Sequence, residues 1–311
     1  MAKILITESV HPIGPELLTA AGHTVVYADR DMDIIRREIV DADAVLVRII
    51  ELPGSLLATA KNLKIVSKHG VGYDNIDLDY CKSHGVAVTI TPNANSLSVA
   101  EHAFTLMLTL AKNIIPVSNE YRTIGFAAKN HAPGIEMTGK TLGLIGMGRI
   151  GKHVLHMCKD GLDMHAIVYD PYISEVPEGV EKVDDLSELL RRADVVTLHC
   201  LLTDETRKLI DRERLALMKP TALLINCARG PIVDEAALIE ALENGRLAGA
   251  GLDVTDPEPV APDSPLFKLP NVIVTPHYAP TTVESATRVS KIAAENINAV
   301  LAGQEPVGRI V

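Results

Sequence analysis

An apolar stretch, Thr141-Leu142-Gly143-Leu144-Ile145, runs straight into Gly146-Met147-Gly148-Arg149-Ile150-Gly151, and a helical pattern at 152–159 follows without a gap. Strand, glycine turn and helix in that order form the start of a dinucleotide-binding βαβ unit. The first glycine permits the tight turn, the second lets backbone approach a pyrophosphate, and the third lets the helix pack closely on the sheet. The helix N-terminus then faces the negative charge. The next apolar run ends in Val168-Tyr169-Asp170, which places a carboxylate 19 positions after the third glycine (170 minus 151). That is close to the spacing at which an acid accepts the ribose hydroxyls of NAD. Asp170 also repels a 2′-phosphate, and Pro171-Tyr172-Ile173-Ser174 offers no cation to neutralise one, so NAD is expected over NADP.

The glycine turn sits within a longer alternation. Short apolar runs at 3–7, 24–27, 44–47, 64–67 and 86–89 read as strands, with amphipathic segments such as 15–21 and 32–40 between them. A second series follows at 141–145, 165–169, 195–198, 222–226, 248–252 and 272–274. Strands alternating with helices predict parallel sheets, hence two doubly wound α/β domains. Between the series lies one long helical pattern from about 96 to 121 and then a polar, Gly- and Pro-bearing stretch, 125–139, read as a loop or arm. A last helix is expected at about 282–302, packed against the first domain. A chain of 311 residues exceeds the usual size of one core, which agrees with two.

Composition excludes several functions. The formal net charge is -10, with no run of basic residues able to follow a phosphate backbone, so nucleic acid is not an expected partner. An acidic protein that takes an anionic substrate must hold it with local cations. The four cysteines, Cys81, Cys158, Cys200 and Cys227, have neither paired nor zinc-ligand spacing and read as reduced thiols of a cytoplasmic protein. No stretch has the length of a membrane span, and the N-terminal apolar run is too short for a signal peptide. His153 and His156 have a metal-like spacing, but no carboxylate or thiol is read at a matching offset, so they are assigned to a solvated helix face and no metal is expected.

The chemistry-bearing residues cluster after strands of the second series, at the edge where open α/β sheets bind ligands. The strand at 222–226 leads into Cys227-Ala228-Arg229-Gly230; Arg229 can grip a carboxylate through two parallel hydrogen bonds. The strand at 248–252 leads to Asp253 and then Asp256-Pro257-Glu258-Pro259, whose prolines stiffen the loop around Glu258. The strand at 272–274 leads to Thr275-Pro276-His277, and histidine is the side chain best suited to give and take a proton near neutrality. His69 and His102 are weaker candidates for a place near the substrate, and His199 reads as structural.

These stretches, together with Gly70-Val71-Gly72-Tyr73-Asp74-Asn75-Ile76-Asp77, the segment 91–101 and Gly251-Leu252-Asp253, resemble the D-isomer-specific 2-hydroxyacid dehydrogenase family along nearly the whole chain. The resemblance implies a Rossmann cofactor domain, 95–281, inserted in a flavodoxin-like substrate domain, 1–94 and 282–311. It implies hydride transfer between NAD(H) and a small 2-hydroxy or 2-keto acid. Arg229 would bind the substrate carboxylate and carbonyl, His277 would be the general acid/base, and Glu258 would hold His277, stabilising its imidazolium. Cofactor contacts are implied for Gly146, Gly148, Arg149, Ile150, Gly151, Asp170, Cys200, Ala228 and Asp253, and substrate contacts for Arg48, Val71, Gly72, Arg229 and His277. Leu46-Val47-Arg48, Asn95-Ser96-Leu97-Ser98 and Asn226 to Gly230 are closest to the 3-phosphoglycerate dehydrogenases, where the position of Arg48 helps bind the phosphate and that of Lys68 commonly carries a base. Reduction of hydroxypyruvate or glyoxylate is the alternative, and an NAD-sensing corepressor is one of another class. Without the regulatory domain of longer phosphoglycerate dehydrogenases, feedback inhibition by serine is not expected; a homodimer built on the cofactor domain is. Two departures from the family stand at Leu201, usually proline, and at Tyr278-Ala279-Pro280, where a glycine-containing turn is usual.

Overall fold

A computed structural model describes residues 1–311. The chain forms two compact units: Met1–Asn95 with Pro280–Val311, and Ser96–Ala279. Each is built on one wholly parallel sheet.

In the first unit, β1 (Lys3–Ile6), β2 (Thr24–Tyr27), β3 (Ala44–Val47), β4 (Ile65–Lys68) and β5 (Ala87–Thr89) lie in the order β2-β1-β3-β4-β5, the flavodoxin-like arrangement. Ile4, Ala44, Ile65 and Ala87 stand in register across four of them. Because helices cover both faces, β3 and β4 are buried throughout and read as unbroken runs rather than alternating ones. Successive side chains still divide between the faces. Leu5, Val45, Val47, Val66 and Val88 pack with Ile35 and Ile39. Ile4, Ile6, Ala44, Leu46 and Ile65 pack with Leu18, Ala293 and Ile297. The last three include two from the helix Val283–Leu301, which Thr282 caps by accepting the Ser285 amide, so this helix packs on the sheet of the first unit.

The second unit carries β6 (Thr141–Ile145), β7 (His165–Tyr169), β8 (Val180–Lys182), β9 (Val195–Leu198), β10 (Leu223–Asn226), β11 (Gly249–Leu252) and β12 (Val272–Val274), ordered β12-β11-β10-β9-β6-β7-β8. This is the Rossmann order with a seventh strand, and its direction reverses between β6 and β9. The strand β8 was not expected from sequence: Val180-Glu181-Lys182 is a partly exposed edge with a single apolar residue. The long helix read at 96–121 is two helices, Ser96–Ala111 and Ile114–Ile124. Asn113 separates them in a left-handed conformation (φ 51°), with its amide donating to Pro133 O at 3.1 Å. Asparagine is one of the few residues that adopts this conformation readily. The stretch read as a loop contains a short 3-10 helix, Gly125–Asn130.

One buried acid fixes how β3 ends. Glu8 is 1% exposed, and its carboxylate accepts the Thr7 hydroxyl (2.8 Å) and the amides of Arg48 (2.7 Å) and Ile49 (2.9 Å). Glu8→Ala removes the acceptor of both amides and of the buried Thr7 hydroxyl and is expected to cost about 1–3 kcal/mol in urea denaturation; a variant as stable as the parent would remove Glu8 from this role.

Candidate active site

The glycine turn is built by close approach. Gly146 has φ +89°, and a Cβ there would come within 2.8 Å of the Cys200 nitrogen and the His199 carbonyl carbon, where β9 ends. A Cβ on Gly151 would collide with Gly146 O, so helix Arg149–Leu162 starts directly against the turn. Gly148, in contrast, has no atom within 4 Å of where a Cβ would stand. Asp170 follows β7, and its two carboxylate oxygens accept the amides of Met147 (2.9 Å) and Tyr172 (3.0 Å), which fixes the acid beside the turn. An open glycine, the N-terminus of a long helix and an anchored carboxylate fit the pyrophosphate and ribose of a dinucleotide. Arg149 is exposed here and Ile150 half-buried. Cys200 is half-buried, and burial pushes its thiol up to about 11, so the thiol stays protonated.

The other candidates leave three neighbouring strands of the same sheet. Asn226, Leu252 and Val274 stand in one row across β10, β11 and β12, and Arg229, Glu258 and His277 lie beyond it. Buried Asn226 shapes the first turn by accepting the Ala228 amide (3.0 Å) and donating to Arg229 O (2.9 Å). Arg229 is half-buried, and its Nη1 donates to Ala228 O at 2.8 Å. Next to it, a Cβ on Gly230 would overlap Thr255 O, so the arginine turn presses on the loop that leads to Glu258.

His277 Nδ1 lies 2.7 Å from Glu258 Oε1, with the two side chains 31% and 36% exposed. A carboxylate accepts and does not donate, so the proton of this contact sits on Nδ1. That leaves Nε2 as the ring atom able to give or take one. The backbone of His277 is strained: φ is +53°, a region that costs a non-glycine residue about 1–2 kcal/mol. Its amide donates to Asp253 O at 2.8 Å.

Asp253 holds this conformation. Its carboxylate is 1% exposed and accepts the amides of Tyr278 (2.7 Å) and Ala279 (2.9 Å) and the Thr275 hydroxyl (2.5 Å), while His102 Nε2 lies 3.4 Å away. Burial pushes its pKa up, but the His102 and Thr275 hydrogen bonds and the two amides outweigh that and hold it below the usual carboxylate range. The departure at Tyr278-Ala279-Pro280 thereby has a physical account. Here His277 itself takes the left-handed conformation, and neither Tyr278 nor Ala279 has positive φ, so no glycine is needed to bring their amides to Asp253. Leu201 is 58% exposed, and its carbonyl accepts the Thr206 hydroxyl at 2.6 Å.

Arg48, Val71 and Gly72 belong to the first unit, after β3 and β4. Arg48 is half-exposed and its Nη1 donates to Ser9 O at 2.9 Å. Lys68 is only 6% exposed and donates to Arg48 O and to Asn75 Oδ1, so its ammonium braces the turn from within. His69 is pushed down to about 3 by burial and by the nearby Arg48 charge, and stays neutral near pH 7. His199 is likewise lowered to about 3 by burial and lies 2.8 Å from the Thr197 hydroxyl. On the helix after the glycine turn, His156 pairs at 2.7 Å with Asp160, one turn beyond it on an exposed face, a partner not expected from the histidine spacing. Thr275 and His102 meet only in the folded chain, 173 residues apart in sequence.

Residues 104–279 match the D-isomer specific 2-hydroxyacid dehydrogenase, NAD binding domain family. The chain is 43% identical to a D-3-phosphoglycerate dehydrogenase of Methanocaldococcus jannaschii over 98% of its own length and 58% of the relative's. It is 38% identical to a glyoxylate reductase of Thermofilum pendens over 98% of its length and 93% of the relative's. Among solved structures, a D-lactate dehydrogenase of Aquifex aeolicus complexed with NAD and lactic acid superposes with a TM-score of 0.87 at 32% identity, covering 96% of each chain. The chain spans little more than half the length of the curated D-3-phosphoglycerate dehydrogenases it matches.

Asp253→Asn is expected to cost about 1–3 kcal/mol, since an amide cannot accept every donor that meets the carboxylate. The folded pKa lies below the ordinary 3.8, so the stabilisation is full above that pH and is lost as pH falls through the folded value. Urea denaturation of parent and variant between pH 3 and 7 checks this: the gap should narrow only below about pH 4, and a gap independent of pH would contradict it.

Proposed function

The chain belongs to the D-isomer specific 2-hydroxyacid dehydrogenase family, and on that premise we propose that it interconverts a small D-2-hydroxy acid and its 2-keto acid with NAD as cofactor. The observation that carries the reading is the 2.7 Å contact between His277 and Glu258, on strand ends adjacent to the turn that bears Arg229. The cofactor, held by the glycine turn with Asp170 on its ribose, supplies or takes up the hydride when bound. Arg229 presents a planar fork that pairs with the substrate carboxylate and polarises the neighbouring carbonyl. In reduction, His277 as imidazolium delivers the Nε2 proton to the carbonyl oxygen; in oxidation, neutral Nε2 takes it from the hydroxyl. Glu258 keeps the Nδ1 proton in place and fixes the orientation of the ring. Gly146, Gly148, Arg149, Ile150, Gly151, Cys200 and Ala228 complete the proposed cofactor surface, Asp253, 1% exposed, supports the segment 275–279 rather than that surface, and Arg48, Val71 and Gly72 complete the substrate surface.

The substrate pair we propose is 3-phosphoglycerate and 3-phosphohydroxypyruvate. Support comes from relatives of 37–43% identity that bear that activity in their names, and from half-exposed Arg48 as a cation for the phosphate. A second reading, glyoxylate or hydroxypyruvate reduction, is favoured by two observations. The chain is 38% identical to the Thermofilum glyoxylate reductase, and Lys68, the other base of the proposed phosphate pair, is turned into its own loop. A homodimer is proposed through the segment 114–135, where Ile114, Ile115, Tyr121, Ile124, Phe126 and Ile135 are each exposed. The four cysteines are unpaired, which agrees with the proposed cytoplasmic location, and no helix is long and apolar enough to cross a membrane.

With NADH and a panel of keto acids, 3-phosphohydroxypyruvate should give the highest kcat/KM. Hydroxypyruvate or glyoxylate in first place would move the assignment to the second reading, and turnover of none would end the enzymatic one. His277→Ala should lower turnover by about 10²-fold or more while NADH binding changes little. Asp170→Ser is expected to relax the preference for NAD toward NADP, read as the ratio of the two kcat/KM values; an unchanged ratio would mean that another residue reads the ribose.

A further inference from the structure

We propose that His102 is a positioning residue for His277, acting through the Thr275 hydroxyl and the Asp253 carboxylate. The inference rests on the dehydrogenase reading above. His102 comes from the helix Ser96–Ala111, far in sequence from the strand ends that carry the other groups, and no motif assigns it a role. Its Nε2 lies 3.0 Å from Thr275 Oγ1 and 3.4 Å from Asp253 Oδ1. Thr275 has one hydroxyl proton, and it donates that proton to Asp253 Oδ1. The threonine oxygen is therefore the acceptor toward His102, which fixes Nε2 as the protonated nitrogen of that ring. A directed chain results: His102 Nε2–H to Thr275 Oγ1–H to the Asp253 carboxylate. The same carboxylate accepts the amide of Tyr278, also at Oδ1, and that of Ala279 at Oδ2, while Asp253 O accepts the amide of His277.

Residues on both sides of His277 are thus tied to one buried acid, and His102 is the side chain from outside this segment that orients the tie. The strained φ of His277 persists because the surroundings over-determine it. Packing adds a second constraint, since the His102 ring meets the Tyr278 ring edge-on, with centroids 6.1 Å apart. Loss of the His102 donor leaves Thr275 Oγ1 without its incoming hydrogen bond and frees the hydroxyl to turn from Asp253. The backbone around His277 then gains alternatives, and the ring spends less time aligned with Glu258. Such a defect acts on the proton-transfer step and not on cofactor affinity.

The test compares His102→Ala, His102→Gln, Thr275→Val and the double variant His102→Ala/Thr275→Val, each with NADH and the best keto acid of the panel. His102→Ala should lower kcat about tenfold, the scale on which small misplacements of a reacting group are felt. The KM for the keto acid and the NADH dissociation constant should change less than about twofold. His102→Gln, whose amide N–H can donate to the same hydroxyl, should recover most of kcat. In the double variant the losses should not multiply, because one chain carries both. A glutamine variant as impaired as the alanine variant, or losses that multiply, would overturn the proposal. ¹⁵N-histidine NMR of the full chain judges it without turnover: the His277 ring signals should shift toward averaged tautomers in His102→Ala and not in His102→Gln, and identical His277 signals in all variants would refute it. If the parent turns over no keto acid, the dehydrogenase reading fails while the NMR result still decides the role of His102. Thr275→Ser against Thr275→Val repeats the comparison from the other end of the chain should His102→Ala not fold.

Discussion

A single buried carboxylate organises the chemistry-bearing edge of the second unit. Asp253 emerges at the end of β11, out of water, and has acquired enough donors to remain ionised there. Those donors come from the segment 275–279, which therefore wraps around it, and His277 is carried through the turn in a conformation that few residues adopt unaided. The approach of His277 to Glu258 follows from this arrangement. A pair with both side chains about one third exposed would hold little order by itself, because exposed ion pairs contribute little. Its geometry is set from behind by a carboxylate that touches neither ring nitrogen of His277.

The parallel sheet supplies the frame in which this is possible. Strands that all point one way deliver their following loops to one edge, and β10, β11 and β12 lie side by side in sequence order. Arg229, Asp253 with Glu258, and His277 are brought to neighbouring positions by that order alone. Glycine then removes the last obstacles. Gly230 lets the arginine turn press against Thr255, and Gly146 lets the cofactor turn press against the end of β9. In both places a Cβ would force backbone apart, so the residue type is fixed by space that the fold itself creates. The first unit uses a related device in Glu8, a buried acid whose acceptors hold the start of the Arg48 loop.

Much of this was legible in the chain. The runs at 24–27, 44–47, 141–145, 165–169, 195–198 and 272–274 coincide with strands, and those at 44–47 and 195–198 are buried throughout, as a strand covered on both faces must be apolar along its whole length. What failed had weak local signals. The edge strand β8 has too little burial to leave an apolar run. The break at Asn113 lies inside an otherwise continuous helical pattern, and its asparagine amide is satisfied by a loop about 20 residues further on (|i−j| = 20). Arg229, Glu258 and His277 could be named as candidates from residue type and position after strands. His102 could not be joined to them, since its contact with Thr275 spans 173 residues of sequence.

Sequence by itself determined the kind of fold, the presence of a dinucleotide turn and the inventory of reactive side chains, because each of these is written in residue identity and short-range spacing. Only the tertiary structure decided which proton sits on which ring nitrogen, why Asp253 stays charged in the interior, and that Lys68 faces its own loop rather than outward. The reason is physical. Some of the partners that settle these questions are backbone amides and carbonyls, which every residue carries alike, and others are side chains brought from elsewhere in the chain, so their meeting leaves no mark in the local order of the amino acids.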